Sequence, residues 1–346
     1  MSPAALPVSV LDLAPVVDGS SPAEALRWSI DLAVAAERLG YRRFWVAEHH
    51  NMPGVASSSP AVLLAHVATA TSAIRVGSGG VMLPNHAPLA VAEQFGMLEA
   101  LHPGRVDLGL GRAPGTDHLT ATALRRGAGR LGADDFPAQL AELLAFFDGT
   151  FPEGHPFRAI TPVPARGYRP AVWLLGSSEY GAIAAGTLGL PYCFAHHFSS
   201  EGTDRAMEAY RTSFRPSRLL DEPYPMVAVA VLAAPGDDEA DYLAGPSRLN
   251  GLRIRTGQRG RLPTPEEAAA HPWSDQERQL VATWIAGQVV GSPATVRSGL
   301  LALAERTGAK ELMVTTSAHA IAHRRRSLEL VAGAMDLTPR DAAALA

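Results

Sequence analysis

Cysteine is almost missing from this chain: Cys193 stands alone among 346 residues. That excludes an intrachain disulfide, fits a reducing compartment and removes any cysteine-rich zinc site. Charge is also sparse, at 18% of residues with a net charge of -4 and a pI near 6.3. Nothing in that balance forms the basic footprint nucleic acid requires. Long apolar runs are absent too. The nearest approach, Val55 to Ala73, is broken by Pro60, His66 and several hydroxyls, whereas a span needs about 20 predominantly apolar residues. The first residues carry no cationic region followed by an apolar one, so a secretory signal is not expected. These absences point to a cytoplasmic protein with neither nucleic acid nor membrane as partner. What the chain does have is core: 47% of its residues are hydrophobic, too many for disorder.

The apolar residues are arranged as short β-rich runs alternating with amphipathic stretches. Strands are expected at Val8 to Leu13, Arg43 to Ala47, a run starting at Ile74 to Val76, and Arg105 to Leu110, where Val106, Leu108 and Leu110 alternate with other positions. Further strands are expected at Ala171 to Leu175, Pro191 to Ala195, Met226 to Ala233 and Glu311 to Thr316. Between them lie helices at Pro22 to Leu39, with Ser21 as N-cap, Pro60 to Ser72, Pro88 to Leu101 and Asp134 to Phe147. The pattern continues with helices at Ser178 to Leu188, Glu201 to Phe214, Pro293 to Thr307 and His319 to Met335. About eight strands, each followed by a helix, predict one domain over residues 1–346, a (β/α)8 TIM barrel. Two insertions interrupt it, at roughly 111–170 after strand four and 235–291 after strand seven, the latter with a Gly/Arg-rich loop at Asn250 to Pro263. No repeat, low-complexity tract or linker divides the chain.

On such a barrel the carboxyl ends of the strands carry the chemistry. The second strand ends in Glu48-His49-His50-Asn51: titratable groups at an active-site rim, or one buried and one solvated histidine. The third runs into Gly77-Ser78-Gly79-Gly80, which suits either a flat ligand laid on bare backbone or a β-bulge. The fourth ends in Gly109-Leu110-Gly111-Arg112 before Pro114-Gly115. That proline and glycine make a loop, not the helix a dinucleotide fingerprint needs. Arg112 is either a phosphate- or carboxylate-binding fork or an exposed loop arginine. The fifth ends in Gly176-Ser177-Ser178, an anion site at a helix start or a plain helix cap. His196-His197 line a cavity or a solvated rim. Arg253, Arg255, Arg259 and Arg261 make a mobile lid or a solvated loop, and Arg324-Arg325-Arg326 a solvated helix face. No His-x-His or His-x-x-x-His pair sits among carboxylates at neighbouring strand exits, so no metal is expected.

Taken together, Phe44 to Asn51, Val76 to Pro84 and Val106 to Gly115 closely resemble the luciferase-like flavin-dependent monooxygenase family. The resemblance continues through Val172 to Tyr180, Gly291-Ser292-Pro293 and Lys310 to Thr316, and is weakest in the insertions. It is nearer the bacterial luciferase type that uses FMN than the members built for deazaflavin F420. The resemblance implies reduced FMN at the carboxyl-end face, supplied by a separate NAD(P)H:flavin reductase. With O2 it would form a C4a-hydroperoxyflavin that oxygenates a small organic substrate. Arg112 matches the arginine holding the flavin phosphate, and Ser177-Ser178 match the Glu-Ser pair whose serine joins it. His49 matches a histidine with a base role, and Gly79-Gly80 a small-residue pair forming a cis peptide under the flavin ring. Gly111 and His196 depart from the cysteine and tryptophan of luciferase, so light emission is not implied. Members usually form homodimers. The rivals are an F420-dependent hydride-transfer enzyme on the same barrel and a non-catalytic flavin-binding protein. Substrate identity resides in the insertions.

Overall fold

The computed structural model of the chain describes residues 6–113, 115–125 and 135–340. The described strands are β1 (Val8–Asp12), β2 (Arg43–Val46), β3 (Arg75–Met82), β4 (Val106–Gly111), β5 (Ala171–Gly176), β6 (Tyr192–Ala195), β7 (Pro225–Ala233), β8 (Val289–Gly291) and β9 (Glu311–Thr315). Strands β1 to β7 pair in sequence order, all parallel, and β9 bridges β7 and β1 to close the ring. The expected eight-stranded barrel is therefore present. Around it run α1 (Pro22–Arg38), α2 (Pro60–Ala70), α3 (Pro88–Leu101), α4 (His118–Arg125), α5 (Phe136–Asp148) and α6 (Glu179–Thr187). The rest are α7 (Thr203–Ser213), α8 (Asp237–Arg255), α9 (Pro265–Ala270), α10 (Asp275–Ile285), α11 (Pro293–Thr307) and α12 (Ile321–Ala334). Among the described residues no helix is long and apolar enough to cross a membrane.

Local chemistry sets the helix starts. Ser21 closes a capping box with Glu24, and Ser274 does the same with Glu277. The expected start of α5 at Asp134 lies outside the described residues. The loop expected from Asn250 to Pro263 begins only after Arg255, because Leu243, Leu249 and Leu252 bury one face of α8. Gly251 is accommodated there since the Trp284 ring occupies the space a Cβ would fill. The late insertion also contains β8, too short for a periodic signal, whose partner is the far end of β7.

Each strand faces two cores. Val106, Leu108 and Leu110, with Val8, Phe44 and Val76, belong to the layer between barrel and helices. The alternate positions point into the barrel, where Leu11, Trp45, Trp173, Met226 and Met313 cluster. Trp45 and Trp173 meet edge to face, ring centroids 5.3 Å apart. The Trp45 indole takes its room from Gly77, whose Cβ would lie 2.6 Å from Nε1.

Beneath the tryptophans, at the amino end of the barrel, lies a charged floor. Arg43 donates from Nη1 to Asp107 (2.9 Å) and from Nε to Glu311 (2.9 Å), and its guanidinium sits 4.7 Å from the Trp173 ring. Arg75 binds the other Asp107 oxygen, Trp45 Nε1 donates to Asp107, and Ser9 and Tyr224 donate to Glu311. Asp107 and Glu311 have no exposed surface, so these donors replace the water each carboxylate loses on burial.

Arg324 was expected on a solvated face and is instead buried, pairing with Asp12 and donating to the Thr316 carbonyl. Its helix position turns it toward the barrel, while Arg325 and Arg326 pair with Glu329 outside, as expected.

Replacing Arg43 by Met leaves two buried carboxylates short of donors. The expected loss is about 3–5 kcal/mol, read as a lower denaturant midpoint; an unchanged midpoint would show that the floor does not need the pair.

Candidate active site

The residues singled out from the sequence sit on five adjacent strand exits, β2 to β6. At the β2 exit Glu48 is fully buried. Its Oε1 accepts from His50 Nε2 and from His86 Nε2, each at 2.9 Å, and Oε2 accepts from the Met82 amide at 3.1 Å. Burial would raise this carboxyl, but the hydrogen bond and charge of His86, with the bonds from His50 and Met82, hold it below its ordinary value. His86 was not anticipated: it follows a short 3-10 turn at Leu83–Asn85 and has no local pattern to mark it.

His49 points away from this carboxylate network. Its amide donates to the Ser57 carbonyl at 3.0 Å, while its buried Nδ1 has no hydrogen-bond partner among the described residues. Burial lowers its pKa below 6.5, Glu48 opposes this, and His50 adds to it. His197, from the β6 exit, contacts the Ala228 carbonyl through Nδ1 at 3.2 Å and is electrostatically coupled to His49; burial lowers it as well. His196 is buried rather than solvated, with Nδ1 2.6 Å from Thr203 Oγ1, and desolvation followed by the Arg306 charge pushes it down to about 4.

At the β3 exit the pairing register against β4 shifts between Gly79 and Val81, a β-bulge, and the Gly79–Gly80 peptide is cis. Packing against β4 requires Gly80, where a Cβ would lie 2.8 Å from the Gly109 carbonyl oxygen; on Gly79 a Cβ would come within 3 Å only of Leu11 Cδ1, the movable end of a side chain.

Arg112, half-buried beyond β4, has its guanidinium 4.2 Å from the centre of the Tyr180 ring. It forms no ion pair or hydrogen bond among the described residues. Tyr180 is the second residue of α6, and Ser178 is the N-cap of that helix, without the side-chain cap bond such a serine commonly makes. The fold therefore brings Arg112 to the helix start that carries Ser177 and Ser178. Among the described residues no cluster of three His, Cys, Asp or Glu fits a metal.

The rim is tied across by Asp117. Its carboxylate accepts from Asn51 Nδ2 (2.9 Å), Arg259 Nη1 (2.9 Å) and the Thr120 amide (3.0 Å). The Thr120 amide, Asn51 and Arg259 together hold it well below the usual carboxylate range. Arg259 also reaches the Asn51 carbonyl, Arg261 the Ser20 carbonyl, and Leu262 bridges to Val17. The segment between α8 and α9 is thus fastened to the exits of β1, β2 and β4. Arg253 pairs with Glu267, and Arg255 lies 3.8 Å over the Trp284 ring, both away from this rim.

The chain is similar to several known proteins. A family model described as luciferase-like monooxygenase matches residues 7–311. A luciferase-like monooxygenase of Escherichia coli (strain K12) is 45% identical over 329 residues, covering 95% of this chain and 96% of that protein. The N-acetyl-S-alkylcysteine monooxygenase of Bacillus subtilis (strain 168) is 32% identical over 330 residues, covering 95% of this chain and 98% of that one. The crystal structure of apo-MsnO8 superposes with a TM-score of 0.88 at 41% identity, covering 97% of this chain and 100% of its own. The same fold, at 22% and 15% identity, occurs in the FMN complex of a diketocamphane monooxygenase from Pseudomonas putida (TM-score 0.70) and in an F420-dependent secondary alcohol dehydrogenase (TM-score 0.71).

Arg259→Ala removes one fastening from the rim. Global stability should change little, since the pair is partly exposed. Limited proteolysis between Gly257 and Arg261 should accelerate; unchanged cleavage would mean that Arg261 and Leu262 hold the segment alone.

Proposed function

Because the chain belongs to the luciferase-like monooxygenase family, we propose that it is an FMN-dependent monooxygenase, oxygenating a small organic substrate with O2 and FMN reduced by a separate NAD(P)H:flavin reductase. The observation that carries the FMN reading is Arg112. It is a fork of donors with no carboxylate partner among the described residues, resting on Tyr180 at the start of α6 beside Ser177 and Ser178, the latter an N-cap without a side-chain cap bond. A phosphate monoester satisfies all of these at once: bidentate bonding by the guanidinium, the two hydroxyls, and the open N–H groups of a helix start.

Gly79 and Gly80 would offer a ring system backbone without side chains. Reduced flavin, when bound, supplies the oxygen-activating chemistry; the protein orients, shields and moves protons. His49 suits the last task. With its pKa depressed it is neutral near pH 7, and with its proton on Nε2 the unpartnered Nδ1 can accept one. The segment fastened by Arg259 covers the rim and limits access of water to the site.

Anaerobic titration with reduced FMN should give tight binding that weakens about 10- to 100-fold in Arg112→Ala, the range of a lost charge-assisted contact. Binding of F420 with no binding of FMN would overturn the reading. When oxygen is admitted, flavin reoxidation should rise with pH along a limb below the ordinary histidine value of 6.5, because deprotonation of His49 makes it a base. His49→Ala should abolish that limb; its persistence would assign the proton to another group.

A further inference from the structure

Glu48 is a fully buried carboxylate at the mouth, and nothing in the proposed chemistry uses it. It has no exposed surface, so it touches neither solvent nor anything that enters from solvent. Its contacts come from three chain segments: His50 at the β2 exit, the Met82 amide at the end of β3, and His86 beyond the following turn. The two imidazoles converge through Nε2 on one oxygen, Oε1, each at 2.9 Å.

An ionised carboxylate has only acceptor sites, so both Nε2 atoms must carry the proton. A neutral imidazole has one ring proton, and both Nδ1 atoms are then bare. The carboxylate thereby selects the same tautomer in two histidines at once. It also ties the β2 exit to the β3 exit immediately after the Gly79–Gly80 bulge. His49, the next residue in the chain, is held between this anchor and the Ser57 carbonyl that receives its amide.

We propose that Glu48 is the positioning residue of the mouth: its carboxylate locks His50 and His86 as Nε2–H tautomers and, through the chain, sets where His49 stands. The tautomer lock stands on the geometry alone; the consequence for turnover rests on the proposed role of His49.

Glu48→Leu separates this from plain structural support. Leucine nearly fills the same space but offers no acceptor. Neither Nε2–H group then has its partner, so the tautomers are no longer selected. Long-range 1H–15N correlation spectra of the protein read the tautomers directly, without cofactor or turnover. In their neutral forms the native His50 and His86 should both be protonated at Nε2, and Glu48→Leu should give at least one of them a population protonated at Nδ1. In parallel, flavin reoxidation should slow about 10- to 100-fold, the range expected for a small misplacement of a reacting group, with FMN affinity unchanged because Arg112 and Ser178 are untouched.

If Glu48→Leu does not fold, His50→Gln and His86→Gln each remove one bond while keeping the carboxylate. The remaining histidine should stay an Nε2–H tautomer. Either native histidine whose neutral form carries its proton on Nδ1, or both histidines remaining wholly Nε2–H in Glu48→Leu, would overturn the lock. A confirmed lock without FMN-dependent oxygen chemistry would overturn the proposed function and leave the lock standing.

Discussion

Arg43 spans the inside of the barrel as a chord. It stands on β2, and its two carboxylates stand on β4 and β9, two strands away in either direction. Replacing such a pair by apolar residues is often neutral for stability, but its effect on alignment is not neutral. A one-residue slip of β2 would turn Arg43 outward and bury the layer-facing Phe44 against two bare carboxylates. The pair therefore holds β2 in register with β4 and β9. Counting upward in twos from that anchor gives Trp45, Ala47 and then His49, and on β4 Asp107, Gly109 and Gly111. The location of the mouth residues follows from an interaction at the opposite end of the barrel.

Between the charged floor and the mouth lies an apolar layer of Trp45, Trp173, Met226 and Met313. It separates two polar regions with different electrostatic tasks. In the floor, carboxylates and guanidinium groups neutralise one another. At the mouth, one carboxylate serves several imidazoles, and burial depresses the pKa of His49, His196 and His197. A histidine-rich rim thus presents uncharged acceptors and donors near neutral pH, a setting for moving protons that adds little fixed positive charge.

Much of this could be read from the residues. Pro88 to Leu101 opens on a proline and stops before His102-Pro103-Gly104, Pro293 to Thr307 lies between Ser292 and Gly308, and both helices have those bounds. The strand exits that gathered acids, histidines, glycines and serines do lie side by side. What stayed hidden was hidden for physical reasons. The alternation of Val106, Leu108 and Leu110 shows which positions avoid water, yet in a barrel both faces avoid it, and these three face the helices. Asp107, between them, gave no sign of being a floor residue, because its partners come from strands far away in sequence. Arg259 and Asp117 are 142 positions apart, and only the closed ring brings them to one rim. Arg324 looked like its neighbours because three consecutive arginines hide the helical phase that turns one of them inward.

Strand β7 has two sets of neighbours. From Met226 to Ala230 it pairs with β9 as a stave of the barrel; from Val231 to Ala233 it pairs with β8 of the late insertion. The stave therefore continues past the wall as a beam whose outer end leads into α8, and that end is itself braced: the Ala233 amide donates to Ser327 and Leu232 packs with Ala318. The inserted helices are mounted on this beam rather than hung from a flexible tether.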